Sequence, residues 1–204
     1  MQFVLASASP ARLGVLRQAG VDPVVLVSGV DEDAVTASLG DASHQEVVTA
    51  LAEAKAEAVV EGVAARFPDS VIVACDSMLS IDGQILGKPG TPERAKDRWQ
   101  TMAGNSGDLL TGHAVIRLSG GRVTGSVAGW ESTVVRFDKP TEAELDAYVA
   151  TGEPLSVAGA FTIDGRGGWF VESIDGNASS VIGISLPLTR RLLTEVGVSV
   201  VEFW

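Results

Sequence analysis

Residues 71–88 of the chain read VIVACDSMLSIDGQILGK. The run at 71–75 is continuously apolar and rich in β-branched residues, which predicts a strand buried on both faces. Asp82-Gly83 is a dipeptide typical of the two-residue loop of a β-hairpin. The segment is therefore predicted to form strand, turn and strand, with Asp76 where the apolar run ends.

Helical and strand patterns alternate over the rest of the chain, without repeats or a linker that would mark a domain boundary. Predicted helices lie at 12–18, 43–66, 91–104, 141–150 and 187–196, and further predicted strands at 3–6, 113–118, 122–128, 130–137, 160–164 and 169–174. The second and fourth helices begin with the capping-box pairs Ser43/Glu46 and Thr141/Glu144. We expect one α/β domain over 1–204, with a mixed, partly antiparallel sheet.

Composition narrows the class of protein. The 204 residues include 15 Lys plus Arg and 26 Asp plus Glu, a net charge of -11, which disfavours nucleic acids and acidic membrane surfaces as partners. A small anionic ligand is still compatible with local cations and helix N-termini. The single Cys75 rules out an internal disulfide and is expected to be a buried structural thiol. Because no stretch of 18 apolar residues and no signal-peptide pattern occurs, we expect a cytoplasmic protein.

The first candidate site is the segment Ser7-Ala8-Ser9-Pro10-Ala11-Arg12 at a predicted strand-to-helix junction. Ser9 as N-cap and Pro10 at the first helical position favour a helix start. Free backbone N–H groups, two hydroxyls and the Arg12 guanidinium could bind a phosphate there. The alternative is an ordinary N-cap with a surface arginine.

The hairpin at 76–88 is the second candidate site. A two-residue loop would pair Ser77 with Lys88 and leave Asp76 and Lys88 as diagonal neighbours. Asp76 could then hold a divalent cation or orient water, and Lys88 could contact phosphate. A structural ion pair between the two is the alternative.

Two further features have both a plain and a functional interpretation. Lys55 lies one turn from Leu51 and Val59, on the apolar stripe of its helix, so its amine must either snorkel to water or meet an anion. Glu32 belongs to the acidic cluster 31–33, which could be a solvated loop or could supply an oxygen ligand to a cation.

Several familiar kinds of site are disfavoured. His44 and His113 do not combine with a nucleophile in a known pattern, and no Gly-x-Ser-x-Gly elbow occurs. No P-loop or dinucleotide fingerprint is present, and one cysteine is too few for a zinc finger.

These segments together resemble the Maf family, which is related in fold to the inosine-triphosphate pyrophosphatases. The resemblance extends over nearly the whole chain and is carried, in order, by LASASPAR at 5–12, VDE at 30–32, AKA at 54–56, Asp76, GKP at 87–89, TG at 111–112, EP at 153–154, AGAF at 158–161, VIG at 181–183 and LP at 186–187. It implies a mixed sheet flanked by helices, in two lobes around a cleft.

The resemblance also implies an activity: hydrolysis between the α and β phosphates of a nucleoside triphosphate, releasing a monophosphate and diphosphate. The triphosphate would be neutralised by Ser7, Ser9, Arg12, Lys55 and Lys88. Glu32 and Asp76 would hold Mg²⁺ or Mn²⁺, and Asp76 would accept the proton of the attacking water.

The base is left open by the resemblance. Ala11, Ser77 and Asp164 stand where the better-known branches carry other residues, and they are similar to an actinobacterial-type branch. Asp164 could contact the base or be an exposed turn residue. The rival function is a non-catalytic, nucleotide-binding regulator of cell division, so a house-cleaning role and division control both stay open. A homodimer is a family expectation.

Overall fold

A computed structural model describes residues 1–204. The strands are β1 (Gln2–Leu5), β2 (Val24–Val25), β3 (Ser70–Ile81), β4 (Gln84–Leu86), β5 (Ser106–Ser119), β6 (Arg122–Phe137) and β7 (Val171–Asp175). The α-helices are α1 (Pro10–Gln18), α2 (Glu32–Ser38), α3 (His44–Glu57), α4 (Val60–Arg66), α5 (Pro92–Met102), α6 (Glu142–Ala150), α7 (Ala178–Ile182) and α8 (Leu186–Glu195). Short 3-10 helices occur at Glu153–Ser156, Ala158–Ala160, Arg166–Phe170 and Val200–Phe203.

The sheet is mixed, as predicted. Its strand order is β2-β1-β3-β5-β6-β7, and β4 pairs with β3. The pairs β1–β2 and β1–β3 are parallel, whereas β3–β4 and β6–β7 are antiparallel. The α/β class with a helix-flanked mixed sheet is therefore confirmed.

Contacts divide the chain into two compact units. The first comprises Met1–Asp76, Thr111–Glu131 and Gly183–Trp204. In its core, the apolar face of α3 packs on the parallel strands β1 and β3 and on β5, through residues such as Val4, Ala52, Ile72, Ala74 and Ile116. This packing brings Lys55 of α3 over the end of the apolar run in β3.

The second unit comprises Ser77–Leu110 and Ser132–Ile182. Its core is built around Trp99 of α5, whose indole ring makes edge contacts with Phe137, Tyr148 and Phe170. The Trp99 indole N–H donates to the Ala160 carbonyl at 2.9 Å, so this large side chain is buried without an unsatisfied donor.

Two predicted elements differ from the structure in length. The helix expected at 43–66 is two helices, α3 and α4, separated at Ala58 and Val59, where Val59 N–H bonds to the Ala56 carbonyl three residues earlier rather than to that of Lys55. The strands expected at 122–128 and 130–137 are the single strand β6, which continues through Gly129.

One predicted element was wrong in kind. The strand expected at 160–164 does not form, and at its start Gly159 and Ala160 both have left-handed backbone angles (φ 68° and 60°), which are incompatible with a strand. Of the two interpretations of the acidic cluster 31–33, the solvated loop does not hold, because Glu32 and Asp33 open α2 with Asp31 as the N-cap, accepting from Ala34 N–H at 3.0 Å.

No helix in the chain combines the length and the apolar character needed to span a bilayer.

Candidate active site

Asp76 lies in β3 directly after the buried apolar run and is itself buried, with 5% of its surface exposed. Its Oδ1 contacts the Lys55 Nζ at 2.5 Å. Its Oδ2 is also buried and has no hydrogen-bond partner. A buried carboxylate oxygen without a partner is costly in a structural ion pair, so Oδ2 is the atom in this group for which a ligand is missing.

Lys55 connects Asp76 to a second carboxylate. Its Nζ lies 2.7 Å from Glu32 Oε1 in addition to the contact with Asp76. The lysine is 8% exposed, so the amine does not snorkel to water as lysines on apolar stripes usually do. The sequence left open whether the Lys55 amine reaches water or meets an anion, and in the structure it meets two carboxylates.

The cluster of Glu32, Lys55 and Asp76 has two carboxylates and one ammonium, a net charge of -1 if all are ionised. No group of three or more His, Cys, Asp or Glu side chains is arranged to hold a metal by itself. Two carboxylates are nevertheless the usual protein share of a Mg²⁺ site, where water and substrate phosphates supply the other ligands. The unpartnered Asp76 Oδ2 fits such a hard cation.

The second group of side chains lies at the junction between β1 and α1. Ser9 is the N-cap of α1, its hydroxyl accepting from Arg12 N–H at 3.4 Å. The buried Ser7 Oγ accepts from Ser9 N–H at 3.1 Å and from the Arg12 guanidinium at 3.1 Å. Arg12 also donates from Nε to the Gly183 carbonyl at 2.7 Å.

These contacts bear on both interpretations of the segment. The predicted cap at Ser9 forms, but Arg12 is not a surface arginine, because it is half-buried and fixed at both ends of its guanidinium. A guanidinium turned back over the first turn of a helix adds to the positive end of the helix dipole. The junction thus has the composition of an anion site.

The two groups lie on neighbouring parallel strands. Leu5 of β1 pairs with Val73 of β3, and Ala6 N–H donates to Val73 O at 2.9 Å. Ser7 follows the end of β1 by two residues, and Asp76 follows Val73 by three residues in β3, toward the carboxyl ends where parallel sheets bind ligands. Burial raises the pKa of Cys75, the residue before Asp76, to about 12, and the thiol is buried as predicted.

The hairpin that carries Lys88 forms in the predicted register but is shorter than predicted. The Asp82-Gly83 loop forms, with φ of 48° and 73°, and Ile81 pairs with Gln84 as expected. The ladder ends at Leu79–Leu86, so the predicted pairing of Ser77 with Lys88 was wrong. That pairing would require β4 to continue past Leu86, where the strand ends.

The Lys88 amine is exposed and makes no ion pair, whereas Asp76 pairs with Lys55. Sequence reasoning missed Arg98, whose guanidinium donates to the Gly87 carbonyl at 2.5 Å and the Lys88 carbonyl at 3.4 Å. Arg98 thereby holds the backbone that presents Lys88. Its position on α5, the helix that follows the hairpin, gave no sign of this role.

Asp164 lies exposed in a loop that is fastened by Glu153. The Glu153 carboxylate accepts from the Thr162 hydroxyl at 2.6 Å and from the N–H groups of Arg166 and Gly167 at 3.1 and 3.0 Å. Burial alone would raise the pKa of Glu153, but these hydrogen bonds outweigh it and hold the pKa below its usual value. Glu153 therefore positions the Asp164 loop, a role that its sequence motif did not indicate.

The remaining two predicted specificity residues flank the site groups along the chain. Ala11 is half-buried in the first turn of α1, between Ser9 and Arg12. Ser77 directly follows Asp76 in β3 and is also half-buried.

The model of the family described as Maf-like protein matches residues 2–196. The chain belongs to the Maf family. It is 67% identical to a protein of Saccharopolyspora erythraea over 100% of this chain and 97% of that protein, and 61% identical to one of Rhodococcus opacus over 99% and 95%. A relative from Mycolicibacterium gilvum is 55% identical over 100% and 98%. All three carry the name nucleoside triphosphate pyrophosphatase.

Membership in the Maf family confirms the resemblance drawn from the ordered motifs. The roles of the individual residues stay predictions.

Proposed function

We propose that this protein is a nucleoside triphosphate pyrophosphatase, an acid-anhydride hydrolase that cleaves between the α and β phosphates to give a monophosphate and diphosphate. Maf relatives that carry that name are similar to this chain over nearly its full length. The observation that carries the proposal is the state of Asp76. One of its oxygens is fixed by Lys55, and the other is buried without a partner.

The junction of β1 and α1 would bind the phosphates of the substrate. Ser7, Ser9 and Arg12 would bind phosphate oxygens with hydroxyl, backbone and guanidinium donors. The exposed amine of Lys88, on the backbone held by Arg98, would neutralise further charge on the triphosphate.

Asp76 would act as the proton acceptor. Lys55 holds Oδ1, and Oδ2 has two lone pairs, one for the cation and one to orient a water molecule and take its proton as the water oxygen bonds to the α phosphorus. The bond to the bridging oxygen breaks as the new bond forms, and diphosphate departs with the bonding electrons. Glu32 and Asp76 would hold Mg²⁺ or Mn²⁺. When bound, the cation neutralises phosphate charge and polarises the phosphorus–oxygen bonds.

Several narrower properties belong to the same proposal. We place the protein in the cytoplasm, with a nucleoside triphosphate as its substrate and with no nucleic-acid or membrane partner. We also propose that the protein forms a homodimer and that residues 1–204 act as a single functional domain. Ala11, Ser77 and Asp164 would select the base, and a panel of canonical and modified triphosphates would identify it.

Product analysis tests the function. The protein is incubated with each triphosphate and Mg²⁺, and the products are resolved by phosphorus NMR. We expect monophosphate and diphosphate in equal amounts, and loss of both in Asp76→Asn. Orthophosphate with nucleoside diphosphate would instead indicate a phosphatase and overturn the proposal.

The rival function, a nucleotide-binding regulator of division, makes a different prediction. A regulator would be stabilised against thermal unfolding by the triphosphate, yet would release no diphosphate with either metal. If the protein is the proposed enzyme, a non-hydrolysable analogue stabilises it against thermal unfolding, and the natural substrate is also turned over with release of diphosphate.

A further inference from the structure

His113 is completely buried in β5. Its Nδ1 lies 3.1 Å from the Thr111 carbonyl oxygen, and its Nε2 lies 2.8 Å from the Ser185 nitrogen. Since a backbone N–H can only donate, Nε2 must carry a lone pair, and Nδ1 must then donate its proton to Thr111. The two contacts together require the neutral ring with the proton on Nδ1.

The segment that His113 holds is also the one that receives Arg12. Ser185 is the N-cap of α8, with its hydroxyl accepting from Leu188 N–H at 3.1 Å. Two residues earlier, the Gly183 carbonyl accepts from Arg12 Nε at 2.7 Å. Gly183 has a φ of 126°, and a Cβ added to it would come within 3.1 Å of Arg12 Nε. The position of this carbonyl thus fixes where the guanidinium lies.

The path of contacts continues to the anion site. Arg12 reaches Ser7 Oγ with one terminal nitrogen while its Nε is held by Gly183. A guanidinium with two fixed contacts loses little further freedom when a phosphate binds. Losing one contact would leave Arg12 free to swing away from the junction.

We propose that His113 is a positioning residue for phosphate binding: it fixes the 183–185 turn, and through the Gly183 carbonyl it aims Arg12 at the substrate's phosphates. The inference rests on the proposed function, which gives Arg12 a triphosphate to bind. His113 contacts no substrate itself.

The electrostatics around the ring agree with this role. Burial lowers the pKa of His113 to about 4, and the nearby positive charges of Arg12 and Arg191 contribute to the lowering. The ring is therefore neutral at physiological pH and can keep accepting from Ser185. A neutral acceptor also avoids placing a second charge beside the arginine that must attract the phosphate.

A double-mutant cycle tests the proposal. His113→Leu removes the acceptor, whereas His113→Gln offers an amide oxygen to Ser185 N–H. We expect His113→Leu to raise KM and the Kd of a non-hydrolysable triphosphate by roughly tenfold, a typical coupling for residues joined through contacts. We expect kcat to change much less, and His113→Gln to recover most of the affinity.

The decisive comparison is made in an Arg12→Ala background. If His113 acts through Arg12, His113→Leu has little further effect on Kd there. Equal losses in both backgrounds would overturn the inference, as would a fall in kcat with unchanged KM. If His113→Leu does not fold, the same cycle with His113→Asn, whose shorter side chain does not carry an acceptor to the position of Nε2, distinguishes the two outcomes. His44→Gln serves as the histidine control.

Failure of the function is distinguishable from failure of the inference. Absence of diphosphate release by the wild-type protein contradicts the proposed function. Additive effects on the Kd of the analogue contradict the role of His113, whatever the turnover.

Discussion

Lys55 is the residue that joins the two carboxylates of the candidate site. Its side chain and that of Asp76 are 10% and 7% exposed, so the pair is screened very little by solvent. A buried charge left without its partner is strongly destabilising. Lys55 therefore contributes to the stability of the fold as well as to the proposed chemistry.

The variant Lys55→Met should lower the free energy of unfolding by about 3 kcal/mol, because it leaves Asp76 as an uncompensated buried charge. Urea unfolding at neutral pH measures the loss. Lys96→Met is the matched control, since Lys96 pairs with Asp146 at the same 2.5 Å but with side chains 45% and 52% exposed. The control should lower the free energy of unfolding far less, because water screens an exposed pair, and equal losses in the two variants would contradict this account of the site.

His113 makes stability depend on pH. Its pKa is about 4 in the folded protein against 6.5 when unfolded, so between these values the unfolded chain binds more protons. The free energy of unfolding should therefore fall as the pH is lowered from 6.5 toward 4, by roughly 3 kcal/mol in total from this residue. Chemical unfolding at several pH values measures the slope.

A variant without the imidazole provides the comparison for that slope. His113→Gln should flatten the curve between pH 6.5 and 4, because the group whose pKa differs between the folded and unfolded protein is gone. A curve unaffected by His113→Gln would show that the ring is not buried in its neutral form.

Sequence reasoning reached Lys55 but not its partners. Helical spacing placed the lysine on an apolar stripe, which is a local property. Its contacts with Glu32 and Asp76 depend on how α2, α3 and β3 pack, and Asp76 is 21 residues away in the chain. Local spacing does not encode such packing, and the general preference of lysines for snorkelling pointed the other way.

At the scale of elements, Gly112 determines how α3 sits on the sheet. A Cβ at this position would lie 2.1 Å from the Val48 carbonyl oxygen and 2.6 Å from the Thr49 nitrogen. The backbone of α3 therefore approaches β5 closely at this glycine. Lys55 is about two turns beyond Val48 on the same helix.

The variant Gly112→Ala should lower the free energy of unfolding by about 1–3 kcal/mol, because the helix must move or strain to admit the methyl group. It should also lower turnover, since the movement displaces Lys55. Gly62→Ala is the control: Gly62 lies in α4 with nothing within 4 Å of an added Cβ, so that change should be neutral or stabilising. Thermal melts measure the stability of both variants, and product assays measure their turnover. Wild-type stability and turnover of Gly112→Ala would contradict the close packing.

The ends of helices and strands could be predicted where the local sequence carries a capping or turn residue, and could not be predicted where it carries none. The capping boxes at Ser43/Glu46 and Thr141/Glu144 form as expected. The break before α4 carries no Gly or Pro, so the helical pattern ran through it. The false strand at 160–164 includes Ala160, whose left-handed backbone has no local signal in an alanine and whose carbonyl accepts from the Trp99 indole, 61 residues away in the chain.

At the scale of the whole molecule, an acidic protein is proposed to bind a highly charged anion. The net charge of -11 acts over the entire surface, while the cations of the site act within a few ångströms of the ligand. Binding of phosphate must then depend on local donors rather than on bulk attraction.

This contrast gives a prediction about partners. The protein should not raise the fluorescence anisotropy of a labelled DNA duplex at low salt, where electrostatic binding is strongest. It should bind a non-hydrolysable triphosphate in the same buffer, measured by calorimetry. Duplex binding that weakens with added salt would contradict the predicted absence of nucleic-acid partners.

Of the properties of the whole molecule, family membership was the one that the sequence predicted best. Short motifs in a fixed order along the chain were sufficient, because order and spacing reflect the fold as a unit. The predicted pairing of Ser77 with Lys88 was wrong, because the β3–β4 ladder ends at Leu86.

The central claim is that Asp76 directs hydrolysis of the α–β anhydride. Its most direct test is product analysis by phosphorus NMR, with Mg²⁺ and a triphosphate substrate, for the wild-type protein and for folded Asp76→Asn. We predict equal monophosphate and diphosphate from the wild type and a rate lower by about 100-fold or more in the variant, the loss expected for a proton acceptor. Diphosphate release at the wild-type rate by Asp76→Asn would contradict the claim.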